Sequence, residues 1–326
     1  IIYSLGNFLY SKNITDMINF WQKLPKPFTA LAPMENVTDY LFREIIATNL
    51  PKPDVLFTEF TNVDSLNSAG VKMALSKLKF SLRQKPIVAQ IWGTNPENFF
   101  KSAKIIKDLG FDGVDINMGC PVRAVVKTGA CSALINNRPL VKEIISATQK
   151  GANNLPVSVK TRIGVKEAVT NDWITFLLEQ NIDALTIHGR TARQMSDVPA
   201  NWEEIAKAVE IKNATSPHTV VIGNGDVKSY DQILEYHKKY KVDGVMIGRG
   251  IFSNPWVFDK NNSKTHSQQE YKEILLKHLS LLRPDQNYES IKKFFKMYIN
   301  SFKGASALRF KLMATKNVSE ASDLLK

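Results

Sequence analysis

Two cysteines pose the first chemical question in this chain. The stretch "DINMGCPVRAVVKTGACSALI", residues 115–135, sets Cys120 directly after Asn117-Met118-Gly119 and Cys131 eleven positions later, with Arg123 and Lys127 between. Cys120 is a reactive thiol, one half of a disulfide or metal pair with Cys131, or a space-filling residue. Two cysteines in 326 residues build no disulfide framework, and no Cys/His cluster has zinc spacing. No metal is therefore expected, and a reducing, cytoplasmic compartment is. Cys131 lies among small residues in "GACSAL", where burial is the default for a free cysteine.

Further groups capable of chemistry recur at regular places. Eight short apolar or β-branched runs, at 28–34, 54–60, 86–92, 112–119, 156–164, 183–190, 219–226 and 243–250, are each followed by a segment of helical period. In "NPENFFKSAKIIKDLG", for example, Phe99, Ala103, Ile106 and Leu109 share a helical face and Gly110 supplies the stop. Eight strand–helix units in about 230 residues predict an α/β fold of the (β/α)8 barrel type, because the first βα turn lacks the G-x-G-x-x-G of an open dinucleotide-binding sheet. Barrel chemistry gathers where strands end. There stand Glu59, Gln90, Asn117 with Cys120, Lys160 with Arg162, His188, Asn224 with Asp226, and Arg249. This placement favours Cys120 over Cys131 as the reactive thiol.

The last two runs end in "IGNGD" and "IGRG", whose glycines let backbone N–H groups approach an anion at the usual phosphate site of a barrel. Lys160, His188 and Gln90 would surround the same mouth. An ammonium and an amide suit the pyrimidine edge of a flavin, but a sugar phosphate would accept the lysine and the histidine equally.

The net charge is +12, and residues 260–326 hold thirteen Lys and Arg against six Asp and Glu, or +7 of that total. "NNSKTHSQQ" reads as a linker over 259–269, and 270–326 as a smaller, basic helical domain. There Lys292, Lys293, Lys296, Lys303, Arg309 and Lys311 are interleaved with Phe294, Phe295, Tyr298, Phe302 and Phe310. Their spacing predicts packing aromatics beneath a basic face. No apolar run reaches the ~18 residues of a membrane span. Residues 1–16 are set apart as a misassigned start or an idle tail ahead of Met17, which leaves 17–258 for the barrel.

"APMENVTDYLFR", "NMGCPVRAVVKTGACSALI", "VKTRIG", "IHGRTARQ", "GNGD" and "GRGIFSNPW" together resemble the tRNA-dihydrouridine synthase family of FMN-dependent reductases, and "FKMYINSFKGASALRFKLM" is similar to its C-terminal RNA-binding helices. The resemblance implies FMN as cofactor, NADPH or NADH as reductant, and tRNA as substrate for a monomer that needs no membrane. It implies hydride addition to C6 of a uracil and a proton from Cys120 to C5. A thiol with an ordinary pKa of about 8.5 is protonated near neutrality yet donates more readily than a hydroxyl. The loop after Gly119 would approach and withdraw. By the same resemblance Pro33, Met34 and Glu35 flank the flavin, Gln90 and Lys160 contact its ring, and His188 stands near flavin and substrate. Asn224, Gly225, Asp226, Gly248 and Arg249 hold the ribityl phosphate, and Asn117 touches the uracil. Arg162 takes a nucleotide phosphate or pairs with a neighbouring carboxylate.

Overall fold

The computed structural model describes residues 19–261, 265–283, 286–300 and 302–326. The extension expected at 1–16 lies outside them, as do residues 262–264 of the expected linker. The strands are β1 (Phe28–Leu31), β2 (Leu56–Phe57), β3 (Thr61–Asn62), β4 (Ile87–Trp92), β5 (Gly113–Met118), β6 (Val157–Arg162), β7 (Ala184–His188), β8 (Val220–Asn224) and β9 (Gly244–Ile247). All pair in parallel in the order β1-β9-β8-β7-β6-β5-β4-β2, with β3 also on β4, and a bridge between Ala30 and Val55 closes the ring. All eight runs seen in the sequence are staves of this barrel. The second is split, pairing with β4 first at Leu56–Phe57 and again at Thr61–Asn62.

Helices α1 (Tyr40–Asn49), α2 (Val71–Lys77), α3 (Pro96–Asp108), α4 (Arg138–Ala152), α5 (Thr170–Leu178), α6 (Trp202–Thr215), α7 (Tyr230–Tyr240) and the short α8 (Gly250–Ser253) follow the staves in turn. Local chemistry sets their ends. At α3 the Asn95 side chain accepts from the N–H groups of Glu97 and Asn98, Pro96 opens the first turn, and Gly110 leaves it at φ 83°. At Gly151 a Cβ would fall 2.1 Å from the Phe100 carbonyl oxygen, so glycine lets α4 lie directly on α3.

Two apolar clusters result. One fills the lower barrel with Phe28, Phe57, Val88, Ile222 and Met246, closed by Trp21. The other lies between strands and helices and runs on without a break into the C-terminal helices α9 (Gln268–Ser280), α10 (Phe295–Tyr298), α11 (Ala305–Ala314) and α12 (Val318–Leu325). The rings of Phe42 on α1 and Phe294 stack at 4.6 Å, with Phe252 and His278 around them. Phe294, Phe295 and Tyr298 are buried as the sequence predicts, but Phe310 is 80% exposed. The expected basic face is also smaller. Lys292 is buried, donating to the Met313 carbonyl and pairing with Glu289, Lys293 donates to the Asn36 carbonyl, and Arg309 donates to the Ile299 carbonyl. Lysine stems long enough to reach across a helix packing are used here to satisfy carbonyls.

Because the Phe42–Phe294 stack joins barrel to tail, Phe294→Ala is expected to lower unfolding free energy by about 3–5 kcal/mol. Urea denaturation checks it, and an unchanged midpoint would deny that the two parts share one core.

Candidate active site

Parallel register places the polar strand residues in rows. Gln90 pairs with Asp115, Asn117 with Lys160, Arg162 with His188, and His188 with Asn224. Since side chains alternate along a strand, residues two apart face the same way, so Asp115 and Asn117 on β5 and Ser158 and Lys160 on β6 all point to the barrel interior. The hydrogen bonds agree. Lys160 Nζ donates to Asn224 Oδ1 at 3.2 Å, and Asn224 Nδ2 to the Met246 carbonyl at 2.8 Å.

Above these rows lies a cavity of about 490 Å³ lined by ten of the residues named from sequence: Pro33, Met34, Lys160, Arg162, His188, Asn224, Gly225, Asp226, Gly248 and Arg249. Its size is that of a small-molecule site. Five cationic side chains, Lys160, Arg162, Arg190, Lys228 and Arg249, face it against the single carboxylate of Asp226. Arg249 is exposed, and its charge helps to hold Asp226 low. Gly225 holds φ 135°, and a Cβ there would come within 2.5 Å of the Ala200 Cβ and 3.3 Å of the His188 ring, so only glycine keeps this wall clear. Cationic lining, a glycine wall and apolar Ala32, Met34 and Met246 suit a flat molecule bearing a phosphate. The lining therefore fits a phosphate-bearing flavin as it fits other flat phosphate esters. A larger cleft of about 1120 Å³ lies between α1, residues 75–82 and the C-terminal segment, and Glu59 faces that cleft instead.

Arg190 was not singled out from sequence, although "IHGR" contains it. It is buried, and its Nη2 grips both oxygens of Asp226 at 2.7 and 2.5 Å. Its Nη1 lies 3.1 Å from His188 Nε2. A guanidinium has only donors, so Nε2 must accept, and the imidazole carries its proton on Nδ1. Burial first, then Lys160 and the arginines, push His188 down to about 2, so the ring is neutral. Burial would raise Asp226, but the Arg190 and Ala200 hydrogen bonds outweigh it and hold the carboxyl low. Burial, with repulsion from Arg162, lowers Lys160 to about 8.

The remaining assignments change in detail. Among the described residues Arg162 pairs with no carboxylate. Its Nε donates to the Gly119 carbonyl at 2.8 Å and its Nη1 to the carbonyls of Thr191 and Met195 at 2.9 Å each, leaving Nη2 for the cavity. The Glu35 side chain forms an ion pair with Lys77 and stays outside the cavity. Gln90 and Asn117 sit beneath the wall, Gln90 fully buried and Asn117 nearly so. Asn117 Oδ1 accepts from the N–H groups of Gly119 and Cys120, both at 3.0 Å. The base of the cysteine loop is thus held from two sides.

Cys120 is half-buried and Cys131 buried, and both are free thiols. Cys131 keeps a left-handed backbone, φ 54°, unusual for a residue with a side chain. The neighbouring Cys131 side chain, the Val122 N–H and the charges of Arg162 and Lys160 pull Cys120 down to about 6 against the effect of burial. The Cys131 thiol is held above the ordinary range by the same contact.

The family model described as "Dihydrouridine synthase (Dus)" matches residues 30–326. A "Probable tRNA-dihydrouridine synthase" of Staphylococcus aureus (strain COL) is 43% identical over 314 residues, covering 94% of each chain. "Probable tRNA-dihydrouridine synthase 2" of Bacillus subtilis (strain 168) is 43% identical over 317 residues, covering 94% of this chain and 95% of its own.

Iodoacetamide alkylation of Cys120 in the ligand-free protein is expected to follow a pH midpoint below that of a free thiol. Cys131→Ala and Lys160→Met should each raise it, since each removes a group that favours the thiolate. A midpoint unmoved in both variants would contradict the proposed causes.

Proposed function

The chain belongs to the dihydrouridine synthase family, and from that premise we propose that it reduces a uridine of tRNA to 5,6-dihydrouridine in the cytoplasm, working as a monomer. The observation that carries the reading is a polarised, half-buried thiol at the end of β5, beside a cation-lined cavity of cofactor size. FMN, recharged by NADPH or NADH, would supply the hydride for C6 of the uracil.

The chain's own residues divide the remaining work. Arg249, Lys228 and the Nη2 of Arg162 offer charge to a phosphate, and Gly225 and Gly248 give it backbone access. Lys160, fixed by Asn224, would offer its charge to the ring, where a cation favours an electron-rich state. The Nδ1–H of neutral His188 donates a hydrogen bond without adding charge. Pro33, Met34 and the Glu35 backbone border the ring, and Gln90 keeps one N–H and one lone pair beyond its internal bonds. Asn117 and Cys120 meet the base, and the Cys120 Sγ proton passes to C5. Lys296, Lys303 and Lys311 remain exposed in the C-terminal segment and bind tRNA phosphates.

Incubation of flavin-loaded protein with unmodified tRNA and NADPH should add two hydrogens to one uridine by mass spectrometry, and Cys120→Ala should retain flavin yet lose the product. Full product from Cys120→Ala would remove the thiol from the mechanism.

Truncating the tail would strip Phe294 from Phe42, so charge reversal is the cleaner probe of RNA contact. Joint replacement of Lys296, Lys303 and Lys311 by Glu should weaken tRNA binding and flatten its dependence on log salt by about two to three units. Anisotropy titrations at several salt concentrations measure this, and unchanged binding would move the RNA surface elsewhere.

A further inference from the structure

We propose that Asp115 is the positioning residue of the cysteine loop, a buried acceptor whose oxygens fix the orientation of two amides and, through them, the backbone of Cys120. The inference rests on the reading of Cys120 as the reactive thiol.

Asp115 is fully buried on β5, beside Gln90 of β4 in register. Its Oδ1 accepts from Ser158 Oγ at 2.6 Å and its Oδ2 from Gln90 Nε2 at 2.7 Å. An ionised carboxylate accepts at both oxygens and donates at neither, so it admits only one orientation of the Gln90 amide. With Nε2 committed, Gln90 Oε1 faces Asn117 Nδ2 and accepts from it at 2.9 Å. Asn117 Oδ1 is then the atom left facing the Gly119 and Cys120 N–H groups at 3.0 Å.

Were Gln90 turned over, its Nε2 would face the Asn117 Nδ2, donor against donor. Asn117 would have to turn as well, and the two backbone N–H groups would face donors in a buried site. Each amide alone is ambivalent; the carboxylate at the inner end removes the choice. The outer end of the loop is fixed independently by Arg162 on the Gly119 carbonyl. The two restraints hold opposite faces of one peptide link, so Cys120 is placed by the barrel interior and not by its exposed neighbours.

A carboxylate is an expensive way to fill this space. Burial pushes Asp115 up to about 6 despite the hydrogen bonds from Ser158 and Gln90 and the nearby charge of Lys160. An apolar side chain would avoid that penalty but could not orient an amide.

Two substitutions test the proposal in the flavin-loaded full chain. Asp115→Leu keeps the branched shape and removes the acceptors, whereas Asp115→Asn can still present one oxygen to Gln90 if its Nδ2 turns to Ser158 Oγ. Should the leucine variant not accumulate as folded flavoprotein, Asp115→Ser replaces it. Its hydroxyl is too short to reach Gln90, and a water admitted there donates as readily as it accepts. Three quantities are read: kcat, KM for tRNA, and the pH midpoint of Cys120 alkylation. The leucine or serine variant should lose about 10- to 100-fold in kcat with KM little changed, the scale of a misplaced reacting group. Its alkylation midpoint should rise toward an ordinary thiol. Asparagine should recover most of both.

Wild-type kcat and midpoint in a folded leucine or serine variant would overturn the proposal. So would an asparagine variant as impaired as leucine, which would assign the effect to charge. If the wild-type chain reduced no tRNA uridine while the alkylation midpoints moved as described, the proposed function would fail and the positioning role would stand.

Discussion

A polar group sealed inside a barrel must find a hydrogen bond, and the upper interior of this barrel is polar. Below, Phe28, Phe57 and Val88 fill the space without directional demands. Above them come Gln90, Asp115, Ser158, Asn117 and Lys160, each bonded to another member of the set or to Asn224. Parallel register makes the solution possible, because it sets neighbouring staves side by side at one height. The rim inherits its geometry from this layer. The Lys160 ammonium, the Asn224 amide and the cysteine loop are each fixed by bonds that begin inside the core.

Much of this was legible in the chain. Alternation of apolar runs with helical segments is a local property, and a (β/α)8 barrel follows from counting the units. That strand ends carry the chemistry follows from the fold, so ten of the residues lining the cavity could be named from sequence, though Arg190 and Lys228 could not. Partnerships over long separations could not. Asp115 lies in a quoted motif but reads as one more strand residue until register sets it against Gln90 and Ser158. Arg190 reads as a loop cation until Asp226, thirty-six positions on, is seen in its grip. The tail illustrates the same limit. Spacing says that Phe294 packs, but not that it packs on the barrel, and no periodicity separates Lys292, which turns inward, from Lys296, which does not.

The charge distribution of the mouth is also a product of pairing. Arg190 spends its charge on Asp226, and its Nη1 hydrogen fixes the imidazole tautomer. The result is a neutral donor among cations. A charged imidazole would have to coexist with Lys160, Arg162, Arg190 and Arg249, the groups that drive its pKa down. The mouth can thus concentrate positive charge while presenting an uncharged N–H beside it. A pairing that looks structural decides the hydrogen-bonding character of the site.

The same electrostatics bear on how a cysteine can act as an acid here. Beside Cys131 and the cations of Arg162 and Lys160, Cys120 is held below the ordinary thiol range, which favours the thiolate over the form that gives up a proton. An anion seated against Lys160 and Arg162 would cancel part of their stabilisation of the thiolate and shift the balance toward the protonated sulfur, while the influence of Cys131, the largest cause, would remain. The Gly119–Cys120 peptide, held by Asn117 on one edge and Arg162 on the other, keeps the sulfur's point of attachment fixed as that balance shifts.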